Sequence, residues 1–323
     1  MGIEKKDNII KNILKKLLKV FYSKSYNYLS RHFEYRILFL KFSKKDKIGI
    51  LQEEADYLRG VINSVFDTSK LPKAEGALRE WQLECLKLLE MVDSVFKSAG
   101  VEYWIDYGTL LGAYRHGGFI PWDDDIDICM MRKDYDKIIP ELKKYFENTD
   151  FELLERSQKW NNFQLRIAHK SIHIGLDIFP VYEYPQEELT PELNREIFEK
   201  RKAARAYFDK KYKKKKTMTE KEVKLAHEDI LKIHEEMILP KGREMGEKPI
   251  LFHGVEFPFT EGYLVIPYDD IFPLSETQFE GRVFPCPNRS EKYLTDLYGN
   301  WKNLPKGAGV SLNVDISLKS EVE

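Results

Sequence analysis

The sequence has few cysteines. The three that it contains are odd in number, far apart and without a CxxC pair: Cys85, Cys129 and Cys286. This spacing excludes a disulfide framework and a structural zinc site built on paired cysteines. We therefore expect the chain to work in a reducing compartment, the cytoplasm.

The sequence also lacks a long apolar run. The longest stretches free of Asp, Glu, Lys and Arg are eight residues, at 107–114 and 307–314, whereas a membrane-spanning helix needs about 20 apolar residues. No signal-peptide pattern is visible either. We expect no segment that spans a bilayer.

What the sequence does contain is enough apolar material for a core. Of its 323 residues, 42% are hydrophobic and 13% aromatic, which is typical of a globular chain and not of a disordered one. The net charge of -1 is the sum of two parts of opposite charge. Residues 1–47 contain 13 Lys and Arg and 4 Asp and Glu, a net charge of +9, and the remainder of the chain has a net charge of -10. We predict two parts, a basic segment at 1–47 and a globular domain at 48–323.

The basic segment is predicted to contain an amphipathic helix. Apolar residues recur at helical spacing, and lysines fall on the other faces. The apolar positions are Ile9, Ile10, Ile13, Leu14, Leu17, Leu18 and Phe21, and the lysines are Lys11, Lys15, Lys16 and Lys19. Such a helix either lies on an anionic membrane surface or docks on the globular body, and the sequence leaves both interpretations open.

The remaining chain predicts an α+β fold, a small mixed β-sheet flanked by helices. The predicted helices are 76–99, a short one ending at 116, and 133–146; the predicted strands are 101–107, 127–131, 151–156, 162–170 and 172–184. Thr190-Pro191 and the capping box that begins at Thr219 predict two more helices in an insertion at about 190–250. Residues 251–305, rich in Pro and aromatics, are predicted to be largely irregular.

The most unusual feature is an acidic stretch. GTLLGAYRHGGFIPWDDDIDI, at 108–128, puts Asp123, Asp124, Asp125 and Asp127 into five positions. On an extended chain, residues two apart face the same side, so Asp125 and Asp127 are predicted to point together, with Asp123 as a helper and Asp124 turned away. Neighbouring carboxylates repel each other unless a cation lies between them. Oxygen ligands of this kind favour Mg²⁺ or Mn²⁺.

Two further features would complete a phosphate-handling site. Gly108-Thr109 lies at a predicted strand-to-helix break, where free backbone N–H groups bind phosphate. Asp177, in IGLDIFP on an otherwise apolar strand, supplies a third carboxylate. This arrangement is typical of nucleotidyltransferase-type sites, in which metal ions hold a pyrophosphate. Alternatives stay open, since D-x-D also occurs in glycosyltransferases and surface turns, and Asp177 alone could be a buried core acid.

These residues carry a family resemblance. YWIDYGTLLGAYRHGGFIPWDDDIDICMMRKDYDKI resembles the signature block of the LicD family, phosphotransferases related to lipopolysaccharide and teichoic-acid phosphocholine transferases and to fukutin-related proteins. LREWQLECLKLLEMVDSVFKSAGVEYW, GLDIFPVY and the C-terminal DIFPLSETQFEGRVFPCPNRSEKYLTDLYGNWKNLP resemble other parts of the family. The resemblance covers roughly residues 76–185 and 263–305.

The resemblance implies a nucleotidyltransferase-like fold and transfer of a phospho-alcohol from a CDP-activated donor to a hydroxyl of a cell-surface glycan, with release of CMP. Asp177 would bind a second metal or take the proton from the sugar hydroxyl, and Gly108 and Thr109 would hold the donor phosphates. The implied metal ligands are Asp123, Asp125, Asp127 and Asp177.

Four more residues are candidates for substrate contact. Arg115 and His116 end the short helix before the acidic loop, where their charge could meet the pyrophosphate. Arg115 could equally form a salt bridge to one of the aspartates. Arg166, on an adjoining strand, is a candidate of the same kind. Trp122 would stack on a base or substrate, or pack on the core.

The expected partners follow from the resemblance. CDP-choline is the first choice of donor, and the acceptor is a glycan of lipopolysaccharide, teichoic acid or capsule, lipid-linked or soluble. Because such glycans are often built at the inner face of the membrane, we expect a cytoplasmic protein held peripherally there by residues 1–47. Nucleic acid is not expected, since the lysine run at 210–216 stands against an acidic body. A D-x-D glycosyltransferase and a non-catalytic glycan-binding relative are the alternatives.

Overall fold

The computed structural model describes residues 67–156, 162–171, 174–186, 188–212, 217–257 and 265–304, together with Tyr57, Gly60, Val61 and Asn63. The predicted amphipathic helix, the boundary at residue 47 and residues 213–216 of the lysine run lie outside the described residues. The chain divides into two compact units, Asp67–Asn303 and a second unit of Met1–Phe66 with Leu304–Glu323. In the second unit, Asn63 and Leu304 exchange two hydrogen bonds.

The described part of the larger unit contains both helices and strands. The helices are α1 (Ala77–Ala99), α2 (Tyr107–His116), α3 (Arg132–Phe146), α4 (Pro191–Tyr212), α5 (Glu220–Ile233), α6 (Tyr268–Ile271) and α7 (Ser290–Tyr298). The strands are β1 (Trp104–Ile105), β2 (Ile126–Met131), β3 (Phe151–Leu154), β4 (Leu165–His169), β5 (Gly175–Tyr184), β6 (Ile250–His253), β7 (Val265–Ile266), β8 (Ser275–Phe279) and β9 (Arg282–Cys286). None of the described helices is long and apolar enough to cross a bilayer.

Seven of these strands form one mixed sheet. Its order is β1-β2-β5-β4-β3, with β6 beside β5 and β7 beside β6. β2 and β5 run parallel, and β5 is antiparallel to β4 and β6. The first part of β5 therefore lies between β2 and β4, and its last part pairs with β6. The predicted α+β class with a small mixed sheet is confirmed.

The helices pack on this sheet through the apolar faces that the sequence predicts. α1 buries an unbroken stripe, with Leu88, Leu89, Val92 and Phe96 fully inaccessible to solvent. Burying each such side chain contributes roughly 1.5–3 kcal/mol. A second apolar cluster joins α4 and α5 to β5 and β6, so the helical insertion has its own core. This core fixes the insertion to the last part of β5, the strand that carries Asp177.

The N-terminal caps of both predicted helices in the insertion are confirmed. The Thr190 hydroxyl accepts a hydrogen bond from the backbone N–H of Leu193 at 3.2 Å. Thr219 and Glu222 form a reciprocal capping box at the start of α5. Both caps satisfy backbone donors that the first turn of a helix leaves unpaired.

The C-terminal region is not irregular, which corrects the prediction for residues 251–305. It contributes β6 and β7 to the sheet, and β8 and β9 form a separate hairpin. The hairpin turn consists of Glu280 and Gly281, both with positive φ (50° and 75°), the backbone that a two-residue hairpin requires. The prolines and aromatics of this region obscure the alternation from which strands are predicted.

The hairpin turn is tied to the end of α2. The Glu280 carboxylate accepts hydrogen bonds from Arg79, Lys73 and the backbone N–H of Phe119. Burial pushes the pKa of Glu280 upward, but the hydrogen bonds from Arg79 and Lys73 outweigh burial and lower the pKa to about 2. This buried carboxylate holds the Gly117-Gly118 turn, from which the chain continues into the acidic loop.

Candidate active site

Three carboxylates meet where β2 and β5 begin. Asp127 on β2 lies directly opposite Asp177 on the parallel strand β5, and Asp125 immediately precedes β2. One carboxylate oxygen from each of the three lies within 4.8 Å of the others. We call Asp125, Asp127 and Asp177 the acid triad. The structure thus brings together the predicted pair and the predicted third acid, although their role as metal ligands stays a prediction.

The triad is electrostatically unfavourable without a cation. Burial raises the pKa of Asp127 well above its usual value, and the carboxylates of Asp125 and Asp177 raise it further. Burial likewise raises the pKa of Asp177 to about 6, although Arg166 opposes the rise. Like charges this close favour either shared protons or a bound cation.

Arg166 contacts two members of the acid triad. On β4 it pairs with Asp177 across the antiparallel ladder. Its Nη1 donates to Asp177 Oδ2 at 2.5 Å and lies 3.9 Å from Asp125 Oδ2. Gly175 makes room for it, because a Cβ there would lie 2.4 Å from the guanidinium. In the structure Arg166 pairs with two of the acids, and its predicted contact with a substrate phosphate stays a prediction.

The residues present fit a divalent cation such as Mg²⁺ or Mn²⁺. One arginine, Arg166, faces three carboxylates, so two negative charges are left uncompensated when all three acids are ionised. Asp177 Oδ1 is buried and accepts no hydrogen bond from the described part of the chain, while Asp125 and Asp127 keep partial solvent access. An all-oxygen set with one orphaned buried oxygen suits these hard cations.

The start of α2 lies against the acidic loop. The backbone at Gly108 approaches so closely that a Cβ there would lie 2.8 Å from Asp123 Oδ2. The buried Thr109 hydroxyl accepts a hydrogen bond from the backbone N–H of Asp127 at 2.8 Å. Thr109 therefore joins the helix to the strand, and Gly108 leaves space between helix and loop. The phosphate-binding role predicted for both remains compatible with their backbone N–H groups at the helix N-terminus.

Arg115 and His116 have partners other than the aspartates. Arg115 Nη1 donates to the backbone carbonyls of Trp301 and Asn303 at 3.0 and 3.3 Å, and its Nε donates to His116 Nε2 at 2.9 Å. Burial and the Arg115 charge lower the pKa of His116 to about 4, so His116 is neutral near pH 7. Among the described residues Arg115 forms no salt bridge with an aspartate, which corrects that alternative.

The acidic loop before β2 departs from the predicted alternation. Asp124 is buried, and its carboxylate lies within 4.8 Å of those of Asp123 and Asp125. The prediction that Asp124 turns away is wrong, because strand geometry begins only at Ile126. Trp122 packs against the main core, which supports packing over stacking on a substrate.

Sequence reasoning missed two residues that hold this site. Gln82 on α1 donates from Nε2 to the backbone carbonyls of Asp123 and Ile120 at 2.9 and 3.2 Å. Asp106 caps α2 and is fully buried. A signal for Asp106 exists, since aspartate is a preferred N-cap residue; a signal for Gln82 does not, because its contacts are distant in sequence.

Asp106 also lies close to Cys129 and His253, with ligand-type atoms within 4.8 Å of one another. Its two oxygens accept hydrogen bonds from the Tyr107 backbone, the Trp104 indole and the Tyr293 hydroxyl, at 2.6 to 3.0 Å. Because these donors already satisfy the carboxylate, we interpret this group as structural and not as a metal centre.

The comparisons with known proteins match the part of the chain that contains the acid triad. Residues 100–208 match the family model described as LicD/FKTN/FKRP, nucleotidyltransferase domain. The lipopolysaccharide cholinephosphotransferase LicD of Haemophilus influenzae is 47% identical over 62 residues, 19% of this chain and 23% of that protein. The ribitol 5-phosphate transferase FKRP of Homo sapiens is 32% identical over 106 residues, 30% of this chain and 21% of that protein.

The matches are partial. The chain spans less than half the length of the curated relatives it matches, 23% and 21% for these two. Among solved structures, the antibiotic-resistance factor ANT(2'')-Ia is 13% identical and covers 49% of this chain and 88% of its own, with a TM-score of 0.24. A likeness at that score supports no conclusion. Outside 100–208, the predicted family resemblance stays a prediction.

Proposed function

We propose that this chain, whose residues 100–208 match the LicD/FKTN/FKRP family model, is a metal-dependent phosphotransferase. It moves a phospho-alcohol, phosphocholine first among the candidates, from a CDP-activated donor to a hydroxyl of a cell-surface glycan, and releases CMP. The observation that carries the proposal is the acid triad, whose three carboxylates lie within 4.8 Å of one another beside the N-terminus of α2. Carboxylates beside a helix N-terminus suit a metal-bound pyrophosphate.

The reaction exchanges one bond to phosphorus for another. The acceptor oxygen bonds to the phosphorus that carries the alcohol, the bond from that phosphorus to the bridging oxygen breaks, and CMP leaves with the electron pair. The acceptor proton goes to Asp177, whose pKa of about 6 suits a base near neutral pH. Arg166 keeps Asp177 Oδ2 occupied, so Oδ1 would face either the cation or the acceptor proton, and in this step it takes the proton while Asp125 and Asp127 would hold the metal.

The other residues bind and orient the donor. Asp125 and Asp127, with Asp123 beside them, would hold Mg²⁺ or Mn²⁺, which supplies charge neutralisation for the pyrophosphate when bound. The backbone N–H groups at Gly108 and Thr109 would donate to the donor phosphates. Arg115 fixes α2 to the backbone at Trp301, so it would position the donor site.

A CMP-release assay tests the proposal. The full chain, incubated with Mg²⁺ or Mn²⁺, a CDP-alcohol and a pool of lipid-linked and soluble glycans, is expected to release CMP in an acceptor-dependent way. EDTA should stop the release, because the carboxylates then repel the donor phosphates. Separate reactions with CDP-choline, CDP-ethanolamine, CDP-ribitol and CDP-glycerol identify the alcohol. Release of a nucleoside diphosphate from a nucleotide sugar, with none from any CDP-alcohol, would instead identify a glycosyltransferase.

The charge of residues 1–47 supports a second element of the proposal, attachment to the membrane surface. This segment holds +9, and each Lys or Arg near an anionic surface contributes roughly 1 kcal/mol of attraction. Deleting residues 1–41 is expected to abolish cosedimentation with vesicles that contain acidic lipid and to preserve CMP release with a soluble acceptor. Vesicle binding that survives the deletion would exclude this role, and wild-type binding to neutral vesicles would exclude its electrostatic cause.

A further inference from the structure

The sheet face that carries the acid triad continues into aromatic side chains. Phe179 follows Asp177 by two residues on β5, so both side chains lie on the same face. Opposite Phe179 on β2 is Cys129, which follows Asp127 by two residues. An aromatic ring therefore lies one side-chain repeat, about 7 Å along the strand, from the acids.

Two more rings contact Phe179, and a third ring contacts one of these two. The centroid of Phe179 lies 5.1 Å from that of Tyr107, the first residue of α2, and 5.2 Å from that of Phe257. The ring of His253 lies 5.5 Å from Tyr107. We call Tyr107, Phe179, His253 and Phe257 the aromatic wall.

Two rings of the aromatic wall, Tyr107 and Phe257, keep partial contact with solvent, and Phe179 and His253 are buried behind them. Tyr107 and Phe257 are half-buried and Phe179 keeps 6% of its surface exposed, whereas neighbouring Cys129 and Ile178 keep none. Tyr107 also has a φ of 43°, a left-handed conformation that is uncommon for a bulky residue. Such strain concentrates at functional sites. The wall is therefore placed to contact a bound molecule.

The charges around the wall favour a cation. The buried Asp106 carboxylate and Asp127 lie near enough to the Tyr107 hydroxyl to raise its pKa, after burial as the main cause. His253 adds no charge at neutral pH, because burial and Arg201 lower its pKa to about 3. The Arg201 charge opposes a cation, but its guanidinium faces the backbone carbonyls of His253 and Gly254, at 3.2 and 3.0 Å.

The available ring faces also suit a cation with an apolar surface. In the part of the chain that the structure describes, no Lys or Arg lies over the rings of Tyr107 or Phe179. Aromatic faces attract quaternary ammonium groups through the ring quadrupole. A polyol needs several hydrogen-bond partners, and the wall offers few, the Tyr107 hydroxyl and the His253 imidazole.

We propose that the aromatic wall binds the trimethylammonium group of the donor and so selects phosphocholine among the alcohols. This inference rests on the proposed function, which it sharpens from CDP-alcohols in general to CDP-choline. The acid triad would hold the pyrophosphate, and the two-carbon linker of choline would span the step from Asp177 to Phe179. Each ring removed lowers the affinity for the methylated cation more than for a primary ammonium group.

Binding and transfer, measured in parallel, test the inference. The affinities of CDP-choline and CDP-ethanolamine for the full chain are measured by calorimetry with Mg²⁺ and without acceptor. The wild type is expected to bind CDP-choline about tenfold more tightly. Phe179→Leu and Tyr107→Leu should bring this ratio close to one, whereas Phe179→Tyr should preserve it. Tyr207→Leu, which removes an exposed ring on α4, is the matched control and should leave the ratio unchanged.

Two outcomes overturn the inference. Equal affinities for the two donors in the wild type would show that the methyl groups are not recognised. If the two Leu variants keep the wild-type melting temperature but lose affinity for both donors equally, the wall binds the cytosine base that the donors share. If the chain releases CMP from CDP-ribitol and binds CDP-choline and CDP-ethanolamine equally well, only the proposed role of the aromatic wall is contradicted. If the chain binds CDP-choline more tightly than CDP-ethanolamine but releases no CMP, only the proposed reaction is contradicted.

Discussion

Asp127→Asn is expected to lower metal-dependent CMP release by roughly three orders of magnitude, the scale of losing one strong electrostatic group from an active site. Asp127 lies opposite Asp177 and next to Asp125 in the acid triad, so it is the central candidate ligand. The amide keeps the size and one oxygen but removes the charge that attracts the cation. The initial rate of CMP release at saturating donor, as a function of Mg²⁺ concentration, measures this loss.

The same variant should not unfold. Without metal, Asp127 is destabilising in its ionised form, because burial and the neighbouring carboxylates raise its pKa. The neutral amide removes this repulsion, so the melting temperature in EDTA should stay level or rise. Metal stabilises only the species that binds it, so the rise in melting temperature on adding Mg²⁺ should disappear.

Asp150→Asn is the matched control for Asp127→Asn. Asp150 is exposed and precedes β3, so the same chemical change there should alter neither activity nor the metal-dependent rise in melting temperature. Full activity of Asp127→Asn would remove this residue from the metal site. Loss of activity together with a collapsed melting temperature would show that the carboxylate maintains the fold.

Local signals explain why the acid triad could be predicted from the sequence. Asp127 and Asp177 each stand on a strand whose apolar neighbours mark it for burial, and both strands proved to be adjacent in register. The caps at Thr190 and Thr219 were predictable for the same reason, since capping depends on residues three positions apart. A pattern confined to a few residues can be interpreted without knowledge of the fold.

The contacts that the sequence does not predict arise where distant segments pack together. Arg115 was expected near phosphate or aspartate, but the backbone of Trp301, 186 residues away, accepts its hydrogen bond. Arg166 pairs with Asp177 because β4 lies antiparallel to β5, a register that neither strand specifies alone. Asp124 was assigned by alternation, although the strand starts two residues later. Partner choice over such distances depends on the whole packing arrangement.

Asp106→Ala is expected to have the largest effect on stability, about 3–5 kcal/mol. The carboxylate is fully buried and accepts hydrogen bonds from the Trp104 indole, the Tyr107 backbone and the Tyr293 hydroxyl. Alanine leaves these donors unpaired, at roughly 1–3 kcal/mol each before relaxation, and removes an N-cap, at about 1 kcal/mol. Urea unfolding followed by circular dichroism measures the loss.

Controls separate the buried hydrogen bonds of Asp106 from capping alone. Thr219→Ala removes an exposed capping box at the start of α5 and should cost only about 1 kcal/mol. Asp106→Asn keeps an acceptor oxygen without the buried charge and should cost less than Asp106→Ala. Similar losses of stability for Asp106→Ala and Thr219→Ala would show that capping accounts for the whole effect.

Asp106→Ala should also affect the active site. Because α2 carries Thr109, which accepts a hydrogen bond from the backbone N–H of Asp127, a shift of the N-terminus of α2 should displace the acid triad. Asp106→Ala is therefore expected to lower CMP release at least tenfold under conditions where the variant remains folded, whereas Thr219→Ala should leave it unchanged.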